Sequence, residues 1–327
     1  MKKLYFIGID VSKEKLSCFD GKEEFSVKND LDLEEFKRLL RRKYKDLKRI
    51  VLIFEATGIY SYFLKAFCNT KHIKAYILNP KKTPNLAKVL GQRSKTDKID
   101  ARTIYCFKDL ISKEQIKVPQ IDETLEKIYA YFSSYKFLIK QRVALSNHLD
   151  ALERNPFAPR DLMKRMQERY LELRAEEKRL MEKMEQIIAE AEDTQEDFSN
   201  LCSIKGIGIN NAICLLILFK RYQVENRQQV TALLGFDVKT RQSGTSVYSR
   251  GQISKQGNGM MRSMLYMAAL NAVRTNLRMK FFYKRLIDRG KPRKVALIAV
   301  ARKLALIAYA IYKTKEPFKE YVGIYRY

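Results

Sequence analysis

The chain of 327 residues is poor in histidine, with only His72 and His148, far apart in sequence. That argues against histidine-ligated zinc and against chemistry built on a histidine pair. Its five cysteines, Cys18, Cys68, Cys106, Cys202 and Cys214, are odd in number and include no CxxC pair. Neither a zinc ribbon nor a disulfide framework is indicated, and buried free thiols are expected. Any metal should therefore be a hard cation with oxygen ligands. No run of about 18 or more uncharged apolar residues occurs, so no spanning helix and no membrane partner are expected. The start, MKKLYFIGIDVSKEK, opens like a signal peptide, but its apolar stretch is short and Asp10 interrupts it, so a cytoplasmic location is expected. Acids are scarce as well. Asp and Glu number 37 against 64 Lys and Arg, a net charge of +27 and a pI near 9.8. With 46% hydrophobic residues the chain can still build a sizeable core. A basic globular chain of this kind calls for a polyanion, with nucleic acid as the first candidate and an anionic membrane surface as its rival.

Residues 1–115 alternate between strands and helices. KLYFIGIDVS is an apolar, β-branched run that reaches Asp10. KLSCFD and EEFSVKN follow at hairpin spacing around Asp20-Gly21. LDLEEFKRLLRRKY has helical periodicity, RIVLIFEATG is a buried strand ending at Glu55, YSYFLKAFC is helical, and KAYILNP is a third buried strand stopped by Pro80. Further helical stretches are expected around NLAKVLG and from Thr96 to about Leu110. The sum is a mixed sheet with helices on its faces.

Residues 122–195 place Leu125, Ile128, Phe132, Tyr135, Leu138 and Ile139, then Leu145, Leu149 and Leu152, at helical spacings; Pro156 and Pro159 break the pattern. Leu162, Met166, Tyr170, Leu173, Leu180, Met184 and Ile187 continue it. Two long helices about a proline-marked turn predict an antiparallel coiled-coil arm, serving as scaffold, dimer contact or nucleic-acid contact. Residues 198–327 form a mainly helical third part. In it Gly206-Ile207-Gly208 is compatible with a phosphate-binding helix-hairpin-helix and equally with a tight packing turn. A polar, glycine-rich loop, GFDVKTRQSGTSVYSRGQISKQGNG, precedes the helix MMRSMLYMAALNAV. From Lys239 to Lys313 there are seventeen Lys or Arg and one acid, Asp288. A solvated helix face normally mixes signs, so this imbalance favours a phosphate-binding surface.

The chemistry rests on four carboxylates. Asp10 and Glu55 lie at strand ends, where neighbouring strands bring side chains to one edge of a sheet. Asp97 and Asp100, in RSKTDKIDARTIYCF, share one face of a helix at spacing i, i+3 that Ser94 or Thr96 could cap. Four such groups in one cleft repel, and divalent cations relieve the repulsion. Two Mg²⁺ or Mn²⁺ ions held this way would suit in-line displacement at phosphorus. Each acid alone has an ordinary explanation as a turn, strand end or helix start; the ordered set Asp, Glu, Asp-x-x-Asp is more specific.

GIDVSKEKL, FEATGIY and KTDKIDAR resemble the motifs of the RuvC-like (RNase H fold) domain of DEDD transposases, the insertion sequence 110 family with its relatives the Piv and MooV invertases. The segment GFDVKTRQSGTSVYSRGQISKQGNGMMRSMLYMAAL is similar to that family's second domain, although Val238 stands where many members carry proline. The resemblance implies an α/β RuvC-like domain over 1–115, a coiled-coil arm over 122–195 and a C-terminal transposase domain over 198–327. It implies a recombinase of a mobile element in the prokaryotic nucleoid, with a composite site in which Ser243 joins the metal-bound Asp10, Glu55, Asp97 and Asp100 and forms a covalent phosphoserine link to DNA. Residue chemistry alone leaves Ser246, Ser249 and Ser254 open as nucleophiles. Lys239, Arg241, Arg250, Lys255 and Arg262 become candidates for phosphate contact or plain anchoring. Implied partners are donor and target duplex DNA, an element-encoded bridge RNA and further copies of the chain as a dimer or tetramer. A guide RNA would leave the protein to recognise shape and backbone; the lack of an obvious helix-turn-helix or zinc finger fits that. A RuvC-like nuclease hydrolysing branched DNA with water would need the four acids and not Ser243. A sugar-kinase-like phosphotransferase would need a glycine-rich phosphate loop after Asp10, which VSKEKLS lacks. A non-catalytic nucleic-acid-binding protein would be indifferent to all four acids.

Overall fold

The computed structural model describes residues 4–319 apart from 57, 81–82, 84–85, 87–96, 240–241, 244–246 and 249–250, and the side chains among them other than those of 97–99, 242–243 and 247–248. Apart from Leu86, the expected stretch at NLAKVLG falls outside this set, as do the capping residues Ser94 and Thr96. The chain divides into two compact units, Met1–Ile121 and Asp122–Tyr327, so the expected arm and third part belong to the same unit.

The first unit is a mixed α/β layer. Strands β1 (Tyr5–Val11), β2 (Lys15–Phe19), β3 (Glu24–Lys28), β4 (Ile50–Glu55) and β5 (Lys74–Leu78) form one sheet in the order β3-β2-β1-β4-β5. The first three pair antiparallel and β1, β4 and β5 pair parallel. The β2–β3 turn is held by Asp20, which accepts hydrogen bonds from the backbone N–H of Lys22 and Glu23 at 3.0 and 2.8 Å. Side chains alternate across the sheet. On one face Ile7, Ile9, Val11, Leu16, Ile50, Leu52 and Phe54 pack against helices α1 (Glu34–Lys43) and α2 (Tyr62–Thr70). Helix α1 contributes Phe36 and Leu40, four apart, and α2 contributes Leu64, Phe67 and Cys68, the i, i+3, i+4 stripe of a core-facing helix.

The opposite face carries Ile53, Tyr76 and Leu78, which pack with Ile104 and Phe107 from and beyond α3 (Asp97–Cys106). Here Gly8 decides the approach of the helix. A Cβ built on it would lie 2.4 Å from the backbone N of Tyr105 and 2.5 Å from the carbonyl O of Ala101, so α3 rests on bare strand backbone. Tyr105 packs edge-on against Phe19, with ring centroids 5.2 Å apart, and Arg102 reaches Glu24 at 2.6 Å.

The second unit is mostly helical. Helix α4 (Glu123–Glu153) starts at Asp122, whose carboxylate accepts from the N–H of Leu125 at 3.0 Å. It turns through residues 154–159 into α5 (Arg160–Ala189), and the two pack side by side, joined by Arg142 and Glu177 at 2.7 Å. Their near ends supply Leu125, Ile128, Phe132, Met184 and Ile188 to the core. Farther along the pair Leu149 and Leu173 are buried, whereas Phe137 and, in the connecting turn, Phe157 are exposed. Then come α6 (Glu192–Cys202), α7 (Ile209–Leu216) running into a π-helical turn at Ile217–Arg221, α8 (Arg227–Leu234), α9 (Gly259–Thr275), α10 (Leu277–Asp288) and α11 (Arg293–Thr314). Helix α11 is the one helix among the described residues long and apolar enough to cross a membrane; its Val300, Ala301, Leu304, Ala305 and Ala308 are buried in this core.

All five cysteines are free. Cys18, Cys68 and Cys214 are buried, and burial pushes the Cys214 thiol up to about 12. The turn at Gly206–Gly208 is a packing turn on its first glycine: Gly206 has φ +102 and an added Cβ would lie 2.5 Å from the Cβ of Ala272, whereas Gly208 faces open space. Asp197 is fully buried between Lys220, at 3.1 Å, and Lys315, so the end of α11 is tied to α6. The Asn200 side chain adds a bond to the Lys315 carbonyl at 3.2 Å.

Two outcomes are expected from chemical denaturation. Gly8→Ala and Gly206→Ala should each destabilise the protein by about 1–3 kcal/mol through overpacking, while Gly208→Ala should lie within about 0.5 kcal/mol of the parent. Equal behaviour of Gly206→Ala and Gly208→Ala would remove the packing-turn assignment. Asp197→Ala should cost about 3 kcal/mol, the low end for breaking a buried ion pair, because Lys315 reaches solvent.

Candidate functional site

The acids of the first unit sit where the strands predict. The β1–β4 register pairs Ile9 with Phe54, so the next position sets Asp10 beside Glu55 on adjacent parallel strands. Both belong to the sheet face opposite Ile9 and Phe54, which is the face covered by α3. On the other side of Asp10 the register partner is Ser17, which is buried. Asp10 and Glu55 are half-buried and each already has an interaction partner.

Helix α3 begins at Asp97 and carries Asp100 in its first turn. Asp100 is half-buried and adjoins Ala101, whose carbonyl lies over Gly8, two residues before Asp10 on the same strand face. Downstream, Phe107 and Ile111 pack in one cluster with Phe6, which precedes Gly8. The helix therefore runs back along the strand, and its first turn points toward the strand ends that hold Asp10 and Glu55. The side chain of Asp97 lies outside the described set. Among the described residues no three acidic, histidine or cysteine side chains converge as a formed metal cage. What the geometry brings together is a pair of carboxylates in one register, with a third on the helix crossing the same face. The donor set is all oxygen, which fits a hard divalent cation.

The segment after Glu55 exposes a run of large side chains that periodicity alone reads as a helix lead-in. Ile59, Tyr60, Tyr62 and Phe63 are exposed around a 3-10 turn at Gly58–Ser61. The run ATGIYSYF carried that signal, because a core-facing start would not place four bulky residues within five positions.

The glycine-rich segment of the second unit is a ribbon. β6 (Val238–Lys239) pairs with β9 (Gln252–Ile253), and β7 (Gln242–Ser243) pairs with β8 (Val247–Tyr248). Ser243 pairs with Val247. Ser246, Ser249, Arg241 and Arg250 lie outside the described residues. Ser254 is committed to the fold: its hydroxyl donates to Asp237 at 2.5 Å and its backbone N–H donates to the Asp237 carbonyl at 2.7 Å. Lys239 and Lys255 are exposed. Arg262 is half-buried and donates from one guanidinium nitrogen to the carbonyl of Leu234 at 2.9 Å, closing the end of α8. Asn258 caps α9 by accepting from the N–H of Met260 and Met261, both at 3.1 Å. The ISKQGN passage is thus a junction that fixes the ribbon's base to two helices.

Comparison with known proteins reaches both of these stretches. The model of the transposase IS116/IS110/IS902 family matches residues 198–284, and a second model, of the DEDD transposase of IS110 elements, matches residues 7–154. The pilin gene-inverting proteins of Moraxella bovis and Moraxella lacunata are each 27% identical over 334 aligned positions, covering 97% of this chain and 98% of the relative. With its carboxylate-bearing sheet and its serine ribbon each matched by a model of the same group, the chain belongs to the IS110 family of transposases.

Proposed function

We propose that the chain cuts and rejoins DNA at a composite site, with Asp10, Glu55, Asp97 and Asp100 as the metal-holding half and Ser243 as the nucleophile. The observation that carries this is the shared register of Asp10 and Glu55 under the helix bearing Asp100, in a chain that also presents Ser243 at the end of a ribbon. The first unit's sheet order supports a RuvC-like domain, and the hairpin of α4 and α5 supports a coiled-coil arm.

Mg²⁺ or Mn²⁺, when bound by the four carboxylates, would supply charge stabilisation at the scissile phosphate. The Ser243 hydroxyl oxygen forms a bond to phosphorus while one P–O bond to a sugar breaks. The serine proton passes to a carboxylate and then to the departing sugar hydroxyl. The phosphoserine link conserves the bond energy, and attack by a new sugar hydroxyl on it releases Ser243 and rejoins the strand. Lys239, Arg241, Arg250 and Lys255 flank the ribbon and offset phosphate charge, while Arg262 anchors the helix beneath it. Donor and target duplexes are paired through a bridge RNA, and the strand cuts are shared among copies of the chain in a dimer or tetramer.

Recombination of a donor plasmid with a target plasmid tests the whole reading, run with and without RNA from the element's flanks. Ser243→Ala should abolish the covalent protein–DNA species. Asp10→Ala should lower recombination by about two to three orders of magnitude, as loss of one charge-stabilising group does. Full recombination by Ser243→Ala would overturn the composite site with Ser243 as nucleophile, strand cutting without rejoining would return the chemistry to water-driven hydrolysis, and full recombination without RNA would remove the guide.

A further inference from the structure

A cationic trough lies on the second unit, built by residues apart from the serine ribbon. Two adjoining hollows of about 430 and 400 Å³ share Arg227 and Leu306. Arg278 and Lys303 line the first and Arg302 lines the second. Lys303 stands 4.1 Å above the ring of Phe282, and Arg285 reaches the same ring at 5.5 Å. Arg227, Arg278, Arg302 and Lys303, from α8, α10 and α11, therefore line hollows whose apolar floor includes Leu306, Ile307 and Ile311, and Arg285 stands beside Lys303 at the Phe282 ring.

Among the described residues none of these five has a carboxylate partner. The single acid lining the trough, Glu316, is paired with Lys319 at 3.4 Å. The hairpin of α4 and α5 behaves differently. There Arg142, Arg165, Arg169 and Arg179 are each matched to a Glu or Asp. Burial pushes the Lys303 ammonium below its ordinary value, and Arg278 and Arg285 push it further in the same direction. Like charges held this close, with no acid to relieve them, oppose folding unless an anion is bound. Arg278 and Arg285 are seven residues apart on α10, about 10.5 Å along the helix axis, or about three nucleotide steps of a strand. The apolar floor suits sugar and base faces between phosphates.

We propose that this trough, centred on Arg227, Arg278 and Lys303, is a binding site for the phosphodiester backbone of a nucleic acid, separate from the site of strand cutting. It rests on the reading of the chain as a nucleic-acid recombinase and gives that reading a second surface. RNA and duplex DNA share the chemistry it recognises, and the test separates them.

Full-length protein carrying Arg227→Gln, Arg278→Gln and Lys303→Gln together is compared with the parent by fluorescence anisotropy. The probes are a labelled single-stranded RNA and a labelled duplex DNA, each of about 20 nucleotides per strand, titrated between about 50 and 200 mM salt. The triple variant should bind at least one probe about tenfold or more weakly, with a salt slope shallower by about 2 to 3. The probe with the larger loss names the source. Unchanged affinity and slope on both probes would overturn the site. Arg278→Gln alone, on an exposed side chain, should lower the slope by about 1, so the result does not depend on the triple variant folding well. Binding is read without strand exchange, so failure of the composite-site chemistry would leave this outcome standing.

Discussion

The contact between Gly8 and helix α3 governs the first unit. A strand residue with no side chain lets the backbone of Ala101 and Tyr105 settle onto β1 at a distance no Cβ would permit. Everything near the carboxylates follows from that depth. The helix sits low enough for Ile104 and Phe107 to close over Ile53 and Tyr76, and its first turn reaches the level of the strand ends. Had β1 carried alanine there, the helix would stand off, and the turn bearing Asp97 and Asp100 would move away from Asp10 and Glu55. The same face is thus apolar and closely packed at one end and acidic at the other. That division lets charged groups gather beside a core without being buried in it.

In the second unit the corresponding constraint is electrostatic. Its hairpin pairs cations and acids along α5 and once across to α4, and such exposed pairs contribute little each. Its trough concentrates cations and leaves them unmatched. Among the described residues the one buried acid, Asp197, lies by contrast between two lysines. The acids the chain does possess are therefore used to tie helix ends and to decorate the hairpin, not to neutralise the trough. Net charge alone would not distinguish these uses, since a uniformly basic surface could give the same total.

Much of the sheet was legible in the sequence because its signals are local. KLYFIGIDVS and RIVLIFEATG read as strands by β-branching and apolar runs, and the register that brings Asp10 beside Glu55 follows from two strands of similar length starting together. The role of Gly8 was not legible, since the clash that makes it necessary comes from residues about a hundred positions away. The ribbon shows in the sequence only as a polar loop. Two-residue strands such as Gln242–Ser243 are too short to display a period of two. Arg262 looked like any other cation beside the loop; its use in closing α8 depends on where the Leu234 carbonyl ends up. The imbalance between Lys239 and Lys313 was visible, but which of those cations meet is decided by the packing of three helices.

The two units divide the proposed chemistry unequally. On that proposal the first supplies carboxylate oxygens for a metal and no nucleophile. The second holds Ser243 and the unmatched cations. Neither half can cut alone on this chemistry: carboxylates with metal but without Ser243 would leave water as the attacker, and Ser243 without them would lack an acceptor for its proton. A recombinase gains from such a division. Hydrolysis by water would lose the phosphodiester bond energy that rejoining requires, whereas a nucleophile delivered on a separate element limits cutting to assemblies in which nucleic acid has brought both halves together. An anchoring surface built from residues other than the ribbon suits that requirement. It can hold a strand before, during and after the cut, because its grip does not involve the atoms being exchanged.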